Sequence, residues 1–108
     1  MDNIKNDKYF INKIFEEIDI IQKYVGKKTY EEFISDTLVV DAVMFRLVQM
    51  IENINDLSTE YRDNHPNIPW GEIIGFRNGI VHEYGETDFV TVYEIVTKDL
   101  KTLKDQLD

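Results

Sequence analysis

Between Phe10 and Val25 an apolar residue returns at every third or fourth position, through Ile11, Ile14, Phe15, Ile18 and Ile21. That recurrence matches the turn of an α-helix and gives the segment one face to bury. The spacing predicts a first helix from about Asp7 to Tyr24. Gly26 ends it, and Lys27 and Lys28 add positive charge where the helix dipole is negative. No convincing strand pattern appears anywhere along the chain, so its apolar surface can be hidden only by packing helix on helix.

A second helix is expected from Thr29 to about Leu57, a stretch with neither Gly nor Pro, and Thr29 with Glu32 has the spacing of a capping box. Its apolar residues are Phe33, Ile34, Leu38, Val39, Val40, Val43, Met44, Phe45, Leu47, Val48, Ile51, Ile54 and Leu57, a band too wide for one neighbour. The surplus suggests a second contact surface, and a homodimer is the economical explanation. The alternative is a helix central to its own bundle.

The polar segment from Ser58 to Pro69 reads as an ordered loop, with His65 pushed away from helix by Pro66. His65 is read as a loop residue, and Trp70, the single tryptophan, as a packing anchor. A third helix starts at Trp70, with Ile73, Ile74, Phe76, Ile80 and Val81 as candidates for burial. Glycines at 71, 75, 79 and 85 weaken it, because each interior Gly costs about 0.5–1 kcal/mol relative to Ala. Small residues at that density suggest close approach of another backbone or of a ligand. Asp88 can cap a fourth helix that presents Phe89, Val92, Tyr93, Val96, Leu100, Leu103 and Leu107 on one side. The fold class is therefore all-α, an up-and-down four-helix bundle with room for an extra short helix, built as a single domain over residues 1–108.

Composition removes several functions. Without cysteine there is no disulfide, thiolate metal site or cysteine nucleophile. The N-terminal run Met1-Asp2-Asn3-Ile4-Lys5-Asn6-Asp7-Lys8 lacks the apolar core of a signal peptide, and no stretch approaches the roughly 20 apolar residues of a membrane span. A cytoplasmic protein is the default. The net charge of −9, from 21 acidic and 12 basic residues, argues against a broad phosphate-gripping surface. It suits a basic partner, or a nucleic acid met only at a small site.

The segment Arg77-Asn78-Gly79-Ile80-Val81-His82-Glu83-Tyr84 gathers a cation, an amide, an imidazole and a phenol. On an ideal helix Arg77 and Tyr84 fall about 20° apart and Asn78 and His82 about 40° apart, so all four share an arc of about 160°. One arc is a ridge; two facing each other across a dimer axis would close a cleft. Metal-free RNA cleavage needs a base for the ribose 2′-hydroxyl, an acid for the leaving oxygen and a fixed cation for the charged phosphorane. His82 can act as base or acid, Arg77 as phosphate clamp, Asn78 as the group that orients His82, and Tyr84 as a hydrogen-bond donor. Glu83, Glu86 and Asp88 surround His82 with charge that repels phosphate. On the residues alone the reading is a helical interaction module carrying a small polar site.

The spacing Arg-x4-His-x-Tyr, with Asn after Arg, resembles the signature of the HEPN superfamily, and specifically of the HepT-like toxins of prokaryotic toxin–antitoxin systems. The likeness extends over nearly the whole chain, through the early amphipathic helix, the helix with Asp36 and Asp41, the approach Asn67-Ile68-Pro69-Trp70-Gly71-Glu72-Ile73-Ile74-Gly75-Phe76, and Asp88 opening the last helix. Gly85-Glu86 departs from it, since many relatives carry a bulky residue after the tyrosine. The resemblance implies a homodimeric, metal-independent ribonuclease without cofactor, in which Arg77 and His82 are catalytic and Asn78 and Tyr84 supporting. It also implies an MNT-type nucleotidyltransferase antitoxin that transfers AMP from ATP to Tyr84. The alternative it leaves is a non-catalytic partner, substrate or nucleotide-binding adaptor of such an enzyme.

Overall fold

The computed structural model describes residues 4–107, and every regular element among them is helical. Helix α1 spans Ile4–Val25 and buries Ile11, Ile14, Ile18, Ile21 and Val25, the stripe marked by the spacing. It begins nearly a turn earlier than expected, because polar residues continue a helix that later apolar ones anchor. Gly26 stops it in the left-handed region at φ 55°, where its N–H donates to the Gln22 carbonyl at 2.9 Å. A side chain there would strain the backbone, so the glycine is the stop signal. Met1, Asp2 and Asn3 of the polar N-terminal run lie outside the described residues, as does Asp108.

The single long helix expected from Thr29 to Leu57 is two, α2 (Tyr30–Ser35) and α3 (Thr37–Asn55). The capping box does form: the Thr29 N–H donates to Glu32 Oε1 at 2.8 Å and the Glu32 N–H to Thr29 Oγ1 at 3.2 Å. Asp36 then breaks the run. Its N–H donates to the Phe33 carbonyl at 3.2 Å, while its Oδ1 accepts from the Val39 N–H at 3.2 Å and so starts a new helix. A short carboxylate satisfies the first amides of a helix better than it continues one, which is why a segment free of Gly and Pro still bends. The bend sends the fully buried Phe33 towards Tyr93, with ring centroids 5.7 Å apart.

The segment after Leu57 holds a short helix, α4 (Thr59–Asp63), where the sequence suggested only loop. Ser58 caps it by accepting from the Tyr61 N–H at 3.0 Å. The Ser58 N–H and hydroxyl in turn donate to the two Asp7 carboxylate oxygens at 2.8 and 2.7 Å. Both residues are buried, so this pair ties α1 to the turn before α4 from the inside. Beyond α4, the Trp70 indole N–H donates to the carbonyls of Arg62 and His65, and the His65 ring stacks on Tyr61 at 4.0 Å. The structural readings of Trp70 and His65 both hold.

Helix α5 (Trp70–His82) follows, then a 3₁₀ turn at Tyr84–Glu86 and a last rod made of α6 (Phe89–Glu94), a wider π-type turn (Ile95–Asp99) and α7 (Leu100–Gln106). Asp88 caps α6 as expected, accepting from the Val90 and Thr91 N–H groups. Cross-links fix the directions. Glu17 meets Arg46 and Asp7 meets Ser58; Asp19 meets Lys104 and the Lys28 carbonyl meets Tyr93; Glu52 meets Arg77 and Asp41 meets Tyr84. In every set an earlier residue on one rod pairs with a later one on its neighbour, so the rods run antiparallel. The result is the expected all-α, HEPN-like up-and-down bundle, with α4 as the extra short helix.

The broadest contact is α1 on α3, and α5 rests chiefly on the other side of α3. Much of the wide apolar band of α3 is therefore explained by a central position. Not all of it is: Leu38 is 82% and Phe45 58% exposed.

Candidate functional site

Helix α5 turns Ile80 fully inward and Ile73, Ile74 and Phe76 partly so. On a helix wheel Gly71, Gly75, Asn78 and His82 then fall within about 60° of one another on the opposite, exposed face. A Cβ built on Gly71, Gly75, Gly79 or Gly85 would meet nothing within 4 Å. The close approach suggested by these glycines is thus not made by this chain's own described residues, because α5 meets the bundle with its other side. Val81, expected to be buried, is 51% exposed for the same reason.

Arg77 lies off that face, about 140° round the helix from His82, and is turned towards α3. Its Nε–H donates to Glu52 Oε2 at 3.1 Å, an Nη2–H donates to the same oxygen, and an Nη1–H donates to Asn78 Oδ1 at 3.0 Å. The guanidinium is held from two sides, and the Arg77 side chain remains 30% exposed. Asn78 was expected to orient His82. Its carbonyl oxygen instead accepts from Arg77, whose long side chain crosses the neighbouring residue on its way to α3. His82 ends the helix, with Glu83 breaking away at φ −143°, and is exposed to solvent.

Tyr84 has left the α-helix and occupies the 3₁₀ turn. Its hydroxyl donates to Asp41 Oδ1 at 2.6 Å, and its ring meets Phe89 edge-on at 6.2 Å. Together with Ile34, Thr37 and Val40 they line a recess of about 200 Å³. Partial burial, then the hydrogen bond and charge of Asp41, push the phenol pKa up to about 12. At neutral pH the tyrosine keeps its proton.

Arg77 and Tyr84, placed on one side of the helix wheel by their spacing, are therefore both fastened to α3. Their anchors, Asp41 and Glu52, lie about three turns apart on one face of α3, with the exposed Leu38 and Phe45 beside them. Sequence reasoning gave neither carboxylate a role in the site.

The surroundings are acidic, with Glu83, Glu86 and Asp88 all exposed. The Thr91 hydroxyl and the Thr91 and Val90 amides hold the Asp88 carboxyl below its usual range. Among the described residues no group of three His, Asp or Glu side chains is placed to hold a metal ion. No helix among them is long and apolar enough to cross a membrane. A larger apolar groove of about 540 Å³ lies between α5 and the last rod, floored by Leu47, Met50 and Ile51.

The chain has relatives among known proteins. It is similar to a protein of Methanocaldococcus jannaschii named as a gamma-glutamylcyclotransferase and candidate RNase, at 32% identity over 95% of this chain; the chain spans about half, 46%, of that protein's length. It is also similar to a candidate RNase of the same organism, at 28% identity over 94% of this chain and 93% of the relative. A protein of Thermococcus cleftensis named "probable ribonuclease HepT" is 25% identical over 96% of this chain and 94% of its own. No solved structure matches the chain. The profile of the HepT-like ribonucleases matches residues 14–108, the whole span from the first buried isoleucines through the Arg77–Tyr84 site to the last rod, and the chain belongs to that family.

Proposed function

We propose that this chain is the toxin of a prokaryotic toxin–antitoxin pair, of type II/VII-like organisation, and a metal-independent endoribonuclease of the cytoplasm that works as a homodimer. The observation that carries the reading is Arg77 held by Glu52 and Asn78 on the same helix that ends in the exposed His82. A guanidinium N–H on each terminal nitrogen remains for the non-bridging oxygens of a phosphate. His82 takes the proton of the 2′-hydroxyl as that oxygen attacks phosphorus, and Arg77 stabilises the pentavalent charge. Protonation of the departing 5′-oxygen falls to the second His82, from the partner copy. Cleavage leaves a 2′,3′-cyclic phosphate and a 5′-hydroxyl.

The dimer is supported by the exposed Leu38 and Phe45 and by the open glycine face of α5, which would let a second backbone come close. Antitoxin action is placed on Tyr84: a cognate MNT-type nucleotidyltransferase transfers AMP to its hydroxyl. The added negative charge then repels RNA from the site.

The test is RNA cleavage by wild type, Arg77→Ala and His82→Ala, with intact mass measured before and after treatment with the nucleotidyltransferase and ATP. Cleavage lost in both variants, and lost in wild type when one AMP mass is gained on Tyr84, supports the reading. Modification without cleavage in any sample favours the second reading, a non-catalytic substrate or adaptor of the nucleotidyltransferase. The Glu52 carboxylate, which cancels the Arg77 charge, and the net charge of −9 speak for that alternative.

A further inference from the structure

The corner between α2, α3 and the 3₁₀ turn is arranged around one hydrogen bond, from Tyr84 to Asp41. Resting on the reading that Tyr84 is the acceptor of AMP, we propose that Asp41 is the general base for its own chain's modification, so that the toxin supplies the group that activates its acceptor tyrosine. Three observations carry this. The hydroxyl and Asp41 Oδ1 are 2.6 Å apart, within the range of direct proton transfer. Of the residues lining the recess, Ile34, Thr37, Val40, Asp41, Tyr84 and Phe89, Asp41 is the one carboxylate facing the phenol. Tyr84 is 41% exposed, so its oxygen can be reached from solvent while its ring is steadied against Phe89.

The chemistry follows from those positions. The phenol holds its proton with a pKa of about 12, so almost none of it is phenolate at neutral pH and the proton must leave during attack. The phenolic oxygen forms a bond to the α-phosphorus of ATP as the bond from that phosphorus to the bridging oxygen of the β-phosphate breaks. Pyrophosphate departs with the electron pair, and the proton passes to Asp41 Oδ1. Once AMP is attached, the hydroxyl donor is gone and Asp41 faces a phosphodiester of like charge. The corner should then open, carrying the turn after His82 away from α3.

The experiment is transfer of α-phosphate-labelled AMP from ATP by the cognate nucleotidyltransferase to wild type, Asp41→Asn and Tyr84→Phe, followed across pH 6–10. Asparagine keeps an acceptor oxygen at the same position but cannot take the proton. The expected result is a kcat for Asp41→Asn at least about 100-fold below wild type at neutral pH, within the range general-base removal produces. The KM for the toxin should be unchanged, and the deficit should shrink as rising pH supplies phenolate. Helical circular dichroism of the variant should match wild type, since Asp41 is exposed. Equal rates and equal pH profiles for wild type and Asp41→Asn would overturn the assignment to Asp41 while leaving Tyr84 as the acceptor. Wild type that gains no label, or gains it equally in Tyr84→Phe, would overturn the underlying reading of Tyr84 and this inference with it.

Discussion

The two sides of α3 are built to opposite ends. Against α1 and the last rod it closes a dry interior in which Phe33, Ile14, Ile18, Leu47, Ile54 and Val92 are fully buried. Against α5 it holds a helix weakened by three glycines and exposed along much of its length, and touches the reactive Arg77 and Tyr84 through carboxylates. The first side carries the stability. The second carries residues that have little to do with stability and are available for chemistry. That division permits a motif rich in Gly and charge to exist in a chain this short, because the helices that must fold it are elsewhere.

The comparison can be broken most severely by exchanging damage across it. Phe33→Ala, on the dry side, should cost about 3–5 kcal/mol of unfolding free energy, read by chemical denaturation. His82→Ala and Arg77→Ala should leave the denaturation midpoint nearly unchanged while lowering RNA cleavage by about 10²-fold or more. A large stability loss in the site variants, or a small one in Phe33→Ala, would show that the two sides are not separate. Asp7→Ala should cost about 1–3 kcal/mol, because it strips a buried Ser58 N–H of its acceptor. Its effect belongs to the stable side although the residue is charged.

Gly75→Ala sharpens the contrast from the weak side. With nothing within 4 Å of the new methyl, the isolated chain should gain about 0.5–1 kcal/mol. If a second copy packs on that face, the same change should weaken self-association in sedimentation experiments even as the monomer is stabilised. The smallest effect is a matter of pH. Tyr84 has its folded pKa raised to about 12, so the stabilisation from its bond to Asp41 is complete below its ordinary pKa of about 10 and lost as pH climbs through about 12. Near-ultraviolet titration should find the Tyr84 phenol titrating late in wild type, and Asp41→Asn should move it to lower pH.

Much of this was legible along the chain. The stripe of α1, the glycine stop at Gly26, the capping box at Thr29, the anchoring role of Trp70 and the Asp88 cap depend on neighbours a few residues apart, and they form as the spacing implies. The break at Asp36 was less visible, since an aspartate can either decorate a helix or cap a new one, and the choice rests on where Phe33 must be buried. Helix α4 was hidden in a polar segment because its stabilising contact, Asp7 to Ser58, spans half the chain. The motif was legible as a set of residue types, and the helix wheel placed Arg77 and Tyr84 together. It gave no hint that Asn78 would turn to Arg77 instead of His82.

The sequence by itself determined that the chain is helical, where α1 stops and where α2, α5 and α6 start, and which eight residues concentrate the reactive groups. Each of these follows from periodicity, capping and side-chain type, which act over one or two turns. Only the tertiary structure decided which groups restrain those residues. Asp41 and Glu52 reach Tyr84 and Arg77 because α3 and α5 run antiparallel in contact, and that register is set by packing summed over the whole bundle. A charge pair of this kind leaves no local trace, since either carboxylate would look the same on a solvated helix face.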